Sequence, residues 1–551
     1  MEGNLTTLPV TEETIRKAEE TLLAYRAAKA PLEARLLENE QWYRLRHWST
    51  MRRNPGDPEP ASAWLLNCIA NKHADAMDNV PEPYVLPREE GDAPDAEALS
   101  AILPVVMELN EYEQVYSDVW WAKLKGGTGV TGVFWNPDGA DGLGDVDIRK
   151  VELLRLYWEP GVSRLQASRN VFHVESVPNE TLIDRWPFLR GRLNGSALTD
   201  SALPASAQTG ERSVVVDWYY KRRCGGRTVV HYAKFVCGNL LYASENDERY
   251  RLRGYYDHGL YPFVFDTQFV EPDSPAGFGY IDVCKQPQMY IDRLNQVILK
   301  GALMAARPRF FIRSDGSINE QEYADWTRDF VHFQGGSSPQ ESIRQIDVRG
   351  PDAVLVRILS DKIEELKETS GNRDFSQGSA ASGVTAAGAI MALQDAGGKL
   401  SRDMLKSSYR AFTKVCELCV ELIRQFYDEP RCFRILGEAA SIRYIRYDNA
   451  RIRPRVEDGL YRKPAFDIKI RPQRSAPMVM SARNEMAREF YRMGFFDPAN
   501  AEQALGCLEM MEFEGKPQMI ELLRRRRNAM VPAAENKGLT LRAGSDAAGM
   551  V

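Results

Sequence analysis

No apolar run in this sequence approaches the ~18 residues that a membrane-spanning helix requires. The opening residues, Met1-Glu2-Gly3-Asn4, lack the basic stretch and apolar core of a secretory signal, so none is expected. Cysteine is scarce: eight in 551 residues, scattered rather than clustered. That excludes a dense disulfide framework and leads us to expect a soluble chain in a reducing cytoplasm. Positive charge is not in excess either, since 71 Lys and Arg face 77 Asp and Glu for a formal net charge of −6. Broad-surface grip on nucleic acid needs clustered cations that release counterions, and this balance argues against it. The six histidines (His47, His73, His173, His231, His258, His332) share no metal-binding spacing. Neither a G-x-S-x-G elbow nor a Walker loop occurs. What remains is ordinary globular composition, 44% apolar and 27% charged. The length suits about three structural units.

Ile15, Ala18, Leu22 and Tyr25 recur at helical spacing, and Leu32, Leu36 and Trp42 continue it past Pro31, which predicts a helix over 11–50. Residues 54–60 are turn chemistry, 62–79 return to helix, and Pro81, Pro83 and Pro87 enforce an extended piece. A single helix is expected over 96–125, ending at Gly126-Gly127. Short alternating or β-branched runs at 130–135, 145–157, 171–177, 213–220, 228–236 and 262–270 predict antiparallel strands. Residues 1–275 therefore read as an α+β domain, with 193–212 a polar surface loop. Beyond it, helices at 281–305 and 352–369 bracket a compact mixed unit, 306–350, with strands at 310–312 and 343–348. Residues 371–383 are a Gly/Ser-rich loop. The longest periodic segment follows at 384–428, bent at Gly397-Gly398. Strands are expected at 432–448 and 465–471, a helical tail over 481–528, and disorder from 531.

Two motifs invite chemistry and fail on context. Gly127-Thr128-Gly129-Val130-Thr131-Gly132 satisfies G-x-G-x-x-G, but a dinucleotide site needs a strand before it and a helix after. Here a helix precedes and a strand follows, so the segment reads as a helix-to-strand turn. Cys416 and Cys419 form a C-x-x-C one turn apart inside a helix, without a second ligand pair, and read as small core residues. No catalytic residue, cofactor or metal site is expected. Arg524-Arg525-Arg526-Arg527 reads as a solvated helix end, with contact to nucleic acid or an acidic partner as the other reading. Arg307, Arg309 and Arg313 flank the small mixed unit and suit subunit or partner contact, against plain compensation of a helix C-terminus.

The order of pieces from 276 to 428 resembles the portal proteins of tailed bacteriophages. Ser382-Gly383-Val384-Thr385-Ala386-Ala387-Gly388-Ala389-Ile390-Met391 is similar to the start of that family's long helix. Tyr157-Trp158-Glu159-Pro160, followed by Val171-Phe172-His173-Val174, resembles a wing segment where many members have Asp-Pro; Glu159 departs from that pattern. The resemblance implies an α+β ring subunit. In it, 1–280 would be the wing, 281–306 and 351–369 stem helices, and 307–350 the clip. Residues 370–383 would be the channel loop and 384–480 the long wing helix with wing strands. Residues 481–530 would form a helical crown and 531–551 a flexible tail.

The family further implies a dodecameric ring at one capsid vertex of the virion, assembled in the host cytoplasm. Double-stranded DNA would pass through it during packaging and ejection. The terminase large subunit, the major capsid or scaffold protein and head-completion proteins would be its partners, and the ring itself would not be an enzyme. Asn372, Arg373, Ser376 and Gln377 would line the DNA channel, while Arg307, Arg309 and Arg313 would serve terminase or subunit contact. The competing expectation is a nucleic-acid-processing enzyme of mixed α/β type, assembled from distant residues.

Overall fold

The computed structural model describes residues 9–193, 198, 200–202, 211–224, 226–306, 309–312, 319–325, 327, 332, 343–346, 350, 352–371, 399–436, 442–457, 460–472, 477–494, 501–511, 516, 519, 520, 523 and 524. In chain order its helices are α1 (Glu12–Tyr43), α2 (Trp64–Met77), α3 (Ala93–Leu109), α4 (Tyr112–Gly126), α5 (Asn179–Arg185), α6 (Tyr280–Ala306), α7 (Glu320–Ala324), α8 (Ala353–Ser370), α9 (Lys399–Phe426), α10 (Pro477–Arg492) and α11 (Ala501–Met510). Its strands are β1 (Pro81–Pro87), β2 (Thr128–Asn136), β3 (Asp145–Val151), β4 (Leu156–Trp158), β5 (Asn170–Pro178), β6 (Arg212–Cys224), β7 (Arg227–Val236), β8 (Asn239–Ala243), β9 (Phe263–Thr267), β10 (Arg309–Ile312), β11 (Ile343–Ile346), β12 (Arg431–Leu436), β13 (Ile442–Tyr447), β14 (Arg455–Glu457), β15 (Leu460–Arg462) and β16 (Phe466–Pro472). The class is α+β, as expected. The chain forms two units: residues 1–76, 114–133 and 148–411 in the first, and 77–113, 134–147 and 412–551 in the second.

The first unit is organised by an antiparallel sheet in the order β4-β5-β6-β7-β8. Its register pairs Phe172 with Trp218 and Val216 with Phe235. Strand alternation sends these residues to one face, where Ile15, Ala18 and Leu22 of α1 cover them. The opposite face carries Val215 and Val236, packed under Leu182 of α5 and Leu189. Both faces are buried, which explains near-continuous apolar runs such as 214–216. Nearby, β2 pairs antiparallel with β9, Thr128 opposite Thr267 and Gly132 opposite Phe263. The helices α6 and α8 lie side by side through a cluster of Ile291, Leu366 and Cys68, flanked by Trp64, Leu359 and Ile363. The Asp352 carboxylate caps α8 by accepting from the Val354 N–H at 3.1 Å, and Gly371 ends it at φ 68°, where a residue without Cβ is favoured.

The second unit pairs β1 with β16, from Pro81 opposite Pro472 to Pro87 opposite Phe466. Three prolines in a strand look prohibitive, because each removes a ladder donor. They fall at 81, 83 and 87, on the side of β1 that faces away from β16. Val85, on that same side, donates its N–H to Ser100 Oγ at 2.9 Å on α3 rather than to β16. The prolines therefore cost no ladder hydrogen bond. The expected single helix over 96–125 is two helices. Glu111 at φ 48° breaks it, and the Asn110 side chain donates to the Val106 and Val146 carbonyls at the break. Among the described residues, no helix is long and apolar enough to cross a membrane.

Candidate functional site

Helix α6 changes character along its length, and that change defines the candidate site. Its first half is pinned by polar groups that it buries. Gln288 and Asp292, one helical turn apart, are both fully buried. The Gln288 side chain accepts from the Leu65 N–H at 3.1 Å and donates to the Ser62 carbonyl at 2.9 Å and to Asp292 Oδ1 at 3.0 Å. Asp292 Oδ1 also accepts from the Ser62 N–H at 3.0 Å. The other carboxylate oxygen lies 2.5 Å from His47 Nδ1. His47 Nε2 faces the Trp42 carbonyl at 3.1 Å; a carbonyl only accepts, so Nε2 carries a hydrogen. The Trp42 ring stacks on His47 with centroids 4.6 Å apart. Buried polar groups are tolerable when each finds a partner, and this network fixes where α6 sits against residues 47–65.

The outward sides of the pair are the opposite case. Tyr290, Val297, Leu299 and Leu303 on α6, and Val354, Val356 and Ile358 on α8, are 40–58% exposed. Around the helix axis, Tyr290 and Val297 share one flank, while Leu299 and Leu303 lie nearly opposite. On α8, Val354 and Ile358 fall on one side and Val356 on another. Apolar groups are thus open on two sides of the pair. Burying such a side chain is worth about 1.5–3 kcal/mol, so each flank is a surface on which association is favourable. Strand β10 adds Phe311, 65% exposed.

Other polar clusters in the first unit are closed. Lys123 Nζ donates to Asp266 Oδ1 and Ser408 Oγ, both at 2.8 Å, and Ser408 donates in turn to Asp266 Oδ2, which ties α4 and β9 to the start of α9. Ser244, His231 and Glu245 resemble a hydroxyl–imidazole–carboxylate series. Ser244 Oγ lies 3.0 Å from His231 Nδ1 and also accepts from the Tyr232 N–H at 3.0 Å, while Glu245 accepts from the Tyr220 hydroxyl at 2.8 Å. All three residues are at most 3% exposed, so no substrate reaches them. Burial also lowers the His231 pKa. This cluster is core.

The expected motifs resolve physically. Helix α4 ends at Gly126 and β2 begins at Thr128, the helix-then-strand order that a dinucleotide site forbids. Gly127 sits at φ 85°, and a Cβ there would collide with the backbone of Phe278; at Gly129 it would collide with the Val119 carbonyl. These glycines serve close packing. Cys416 and Cys419 are fully buried in α9, and burial pushes both thiols up. Among the described residues, no group of three His, Cys, Asp or Glu could hold a metal ion. Arg524 lies 3.8 Å from Glu509. Of the anticipated site residues, Arg307, Arg313, Asn372, Arg373, Ser376 and Gln377 lie outside the described residues. Arg309 is placed by its backbone in β10, opposite Ile346. The pin of His47, Gln288 and Asp292 escapes sequence reasoning, although two polar residues four apart beside Ile291 were its signal.

The family model described as Phage P22-like portal protein matches residues 73–260 and 261–540. No curated protein matches the chain.

Proposed function

The chain belongs to the phage P22-like portal protein family, and on that premise we propose that it closes into a ring through the α6–α8 pair and forms the conduit by which genomic DNA enters and leaves the capsid. Portal proteins are structural parts of the phage particle that associate as rings at a capsid vertex, with capsid and terminase as neighbours. The observation that carries our reading is the pair of exposed apolar flanks on a helix pair pinned at one end. A surface open on two opposing sides suits head-to-tail association, in which each copy uses one flank on each neighbour, and such contacts close into rings. We read 281–306 and 351–369 as stem helices, 307–350 as clip and 370–383 as channel loop.

In this reading Asn372, Arg373, Ser376 and Gln377 touch passing DNA, and Arg307, Arg309 and Arg313 meet the terminase large subunit or a neighbouring copy. Head-completion proteins attach after packaging, and ejection uses the same path. The net charge of −6 fits a conduit, because a wall of the same sign as DNA discourages adhesion. Mass measurement on purified protein tests the proposal. We expect a species near twelve times 62.4 kDa with a central hole in negative stain. A monomer that persists across salt and concentration overturns it, and turnover of nucleic acid by the isolated chain favours an enzyme instead.

A further inference from the structure

The second unit holds a basic surface that the conduit reading does not use. Residues 431–474 carry twelve Arg and Lys against five Asp and Glu, within a chain that is acidic as a whole. Strands β12 and β13 pair antiparallel in this stretch. One face of the pair is core: Phe433 and Tyr447 are buried, and Phe433 stacks on Tyr427 with centroids 6.2 Å apart. Alternation turns Cys432, Arg434, Tyr444 and Arg446 to the other face, where all four are exposed. Arg434 lies opposite Tyr444, and Cys432 opposite Arg446, so the two guanidinium groups stand diagonally across the strands. Such diagonal positions are about 7–8 Å apart. Tyr444 is 68% exposed. Among the described residues, neither guanidinium nor the Tyr444 hydroxyl has a hydrogen-bond or ion-pair partner. Arg431 is different: it lies 3.9 Å from the Tyr427 ring centroid and donates to the Gly144 and Leu143 carbonyls.

We propose that the Arg434–Tyr444–Arg446 face binds the phosphate backbone of duplex DNA without sequence preference. Charge complementarity decides the occupant. A duplex presents one negative charge per about 1.7 Å of axis, so a flat cationic face meets anions in any register. Arginine forks suit phosphate oxygens in pairs, and a tyrosine hydroxyl donates to the same groups. The assignment goes beyond the conduit reading by locating a point of adhesion on a chain whose overall charge repels DNA.

Full-length protein titrated with a fluorescently labelled, random-sequence duplex between about 50 and 200 mM salt provides the test. Arg434→Gln/Arg446→Gln should weaken binding roughly tenfold at low salt and flatten the slope of log K against log salt by about 1.8, the value for two lost phosphate contacts. Arg164→Gln/Arg190→Gln removes the same charge from exposed positions in the first unit and should leave both quantities unchanged. Failure of the wild type to bind, or equal losses in the two double variants, overturns the proposal. So does displacement of DNA by polyglutamate at matched charge, which would mark a surface for acidic protein. Sedimentation separates this idea from the ring: Arg434→Gln/Arg446→Gln should still form the wild-type oligomer, and its failure to do so would make the face a subunit contact.

Discussion

Lys29 is 7% exposed, with its ammonium aimed at the Leu153 and Leu156 carbonyls at 2.6 and 2.9 Å. Glu33 stands 3.6 Å away and the Tyr157 ring lies 4.3 Å beneath. Burial drives the Lys29 pKa down to about 7, against the smaller pull of Glu33 the other way. A neutral amine still has two N–H groups for two carbonyls, so deprotonation keeps the contacts and removes the buried charge. In the unfolded chain the same amine titrates near 10.4. Between those values the unfolded state binds more protons, so stability rises as pH increases from about 7 towards 10 and the penalty is full below 7. Each pH unit in that window is worth up to about 1.4 kcal/mol. Urea unfolding at several pH values should show this rise in the wild type and a flatter profile in Lys29→Met. Parallel profiles would show that Lys29 is charged throughout.

Single elements decide whether copies meet. Leu303→Glu on α6 and Val354→Glu on α8 each place a charge on an exposed flank. Surface changes of this kind typically shift the stability of the subunit itself by no more than about 0.5 kcal/mol, so each variant should stay folded by circular dichroism while the ring dissociates. An intact ring in both variants would remove these flanks from the interface. The same elements show what a sequence can reveal. Ile291 and Leu366 sit at the buried seam that apolar periodicity marks, and a strand such as β6 announces itself by its β-branched run at 214–216. The break between α3 and α4 is hidden, since Leu103, Met107 and Val115 keep helical spacing straight through a left-handed glutamate rather than a glycine. Strand β1 is legible only as extended chain: its partner lies at the far end of the sequence, and prolines normally argue against pairing. The polar pin on α6 is equally nonlocal, because His47 and Asp292 are 245 positions apart.

For the whole molecule, the expected difference between body and channel is functional. Removing residues 372–382 should leave ring formation and unfolding temperature close to wild type while impairing packaging in an infection or motor assay. Loss of folded protein on that deletion would instead make the segment structural. Each unit is built from three separated stretches of chain, and their order along the polypeptide is interleaved. That arrangement imposes a schedule. At synthesis rates of roughly 5–20 residues per second, β1 leaves the ribosome about 20–75 s before β16 does. Throughout that interval the first strand of the second unit waits with its pairing edge open, its other edge already blunted by three prolines. A chain cut short anywhere upstream of β16 cannot complete that unit. A chain that ends between α8 and β16 would carry the whole α6–α8 pair while β1 keeps an unpaired edge, so truncation bears on the second unit and spares that helix pair of the first.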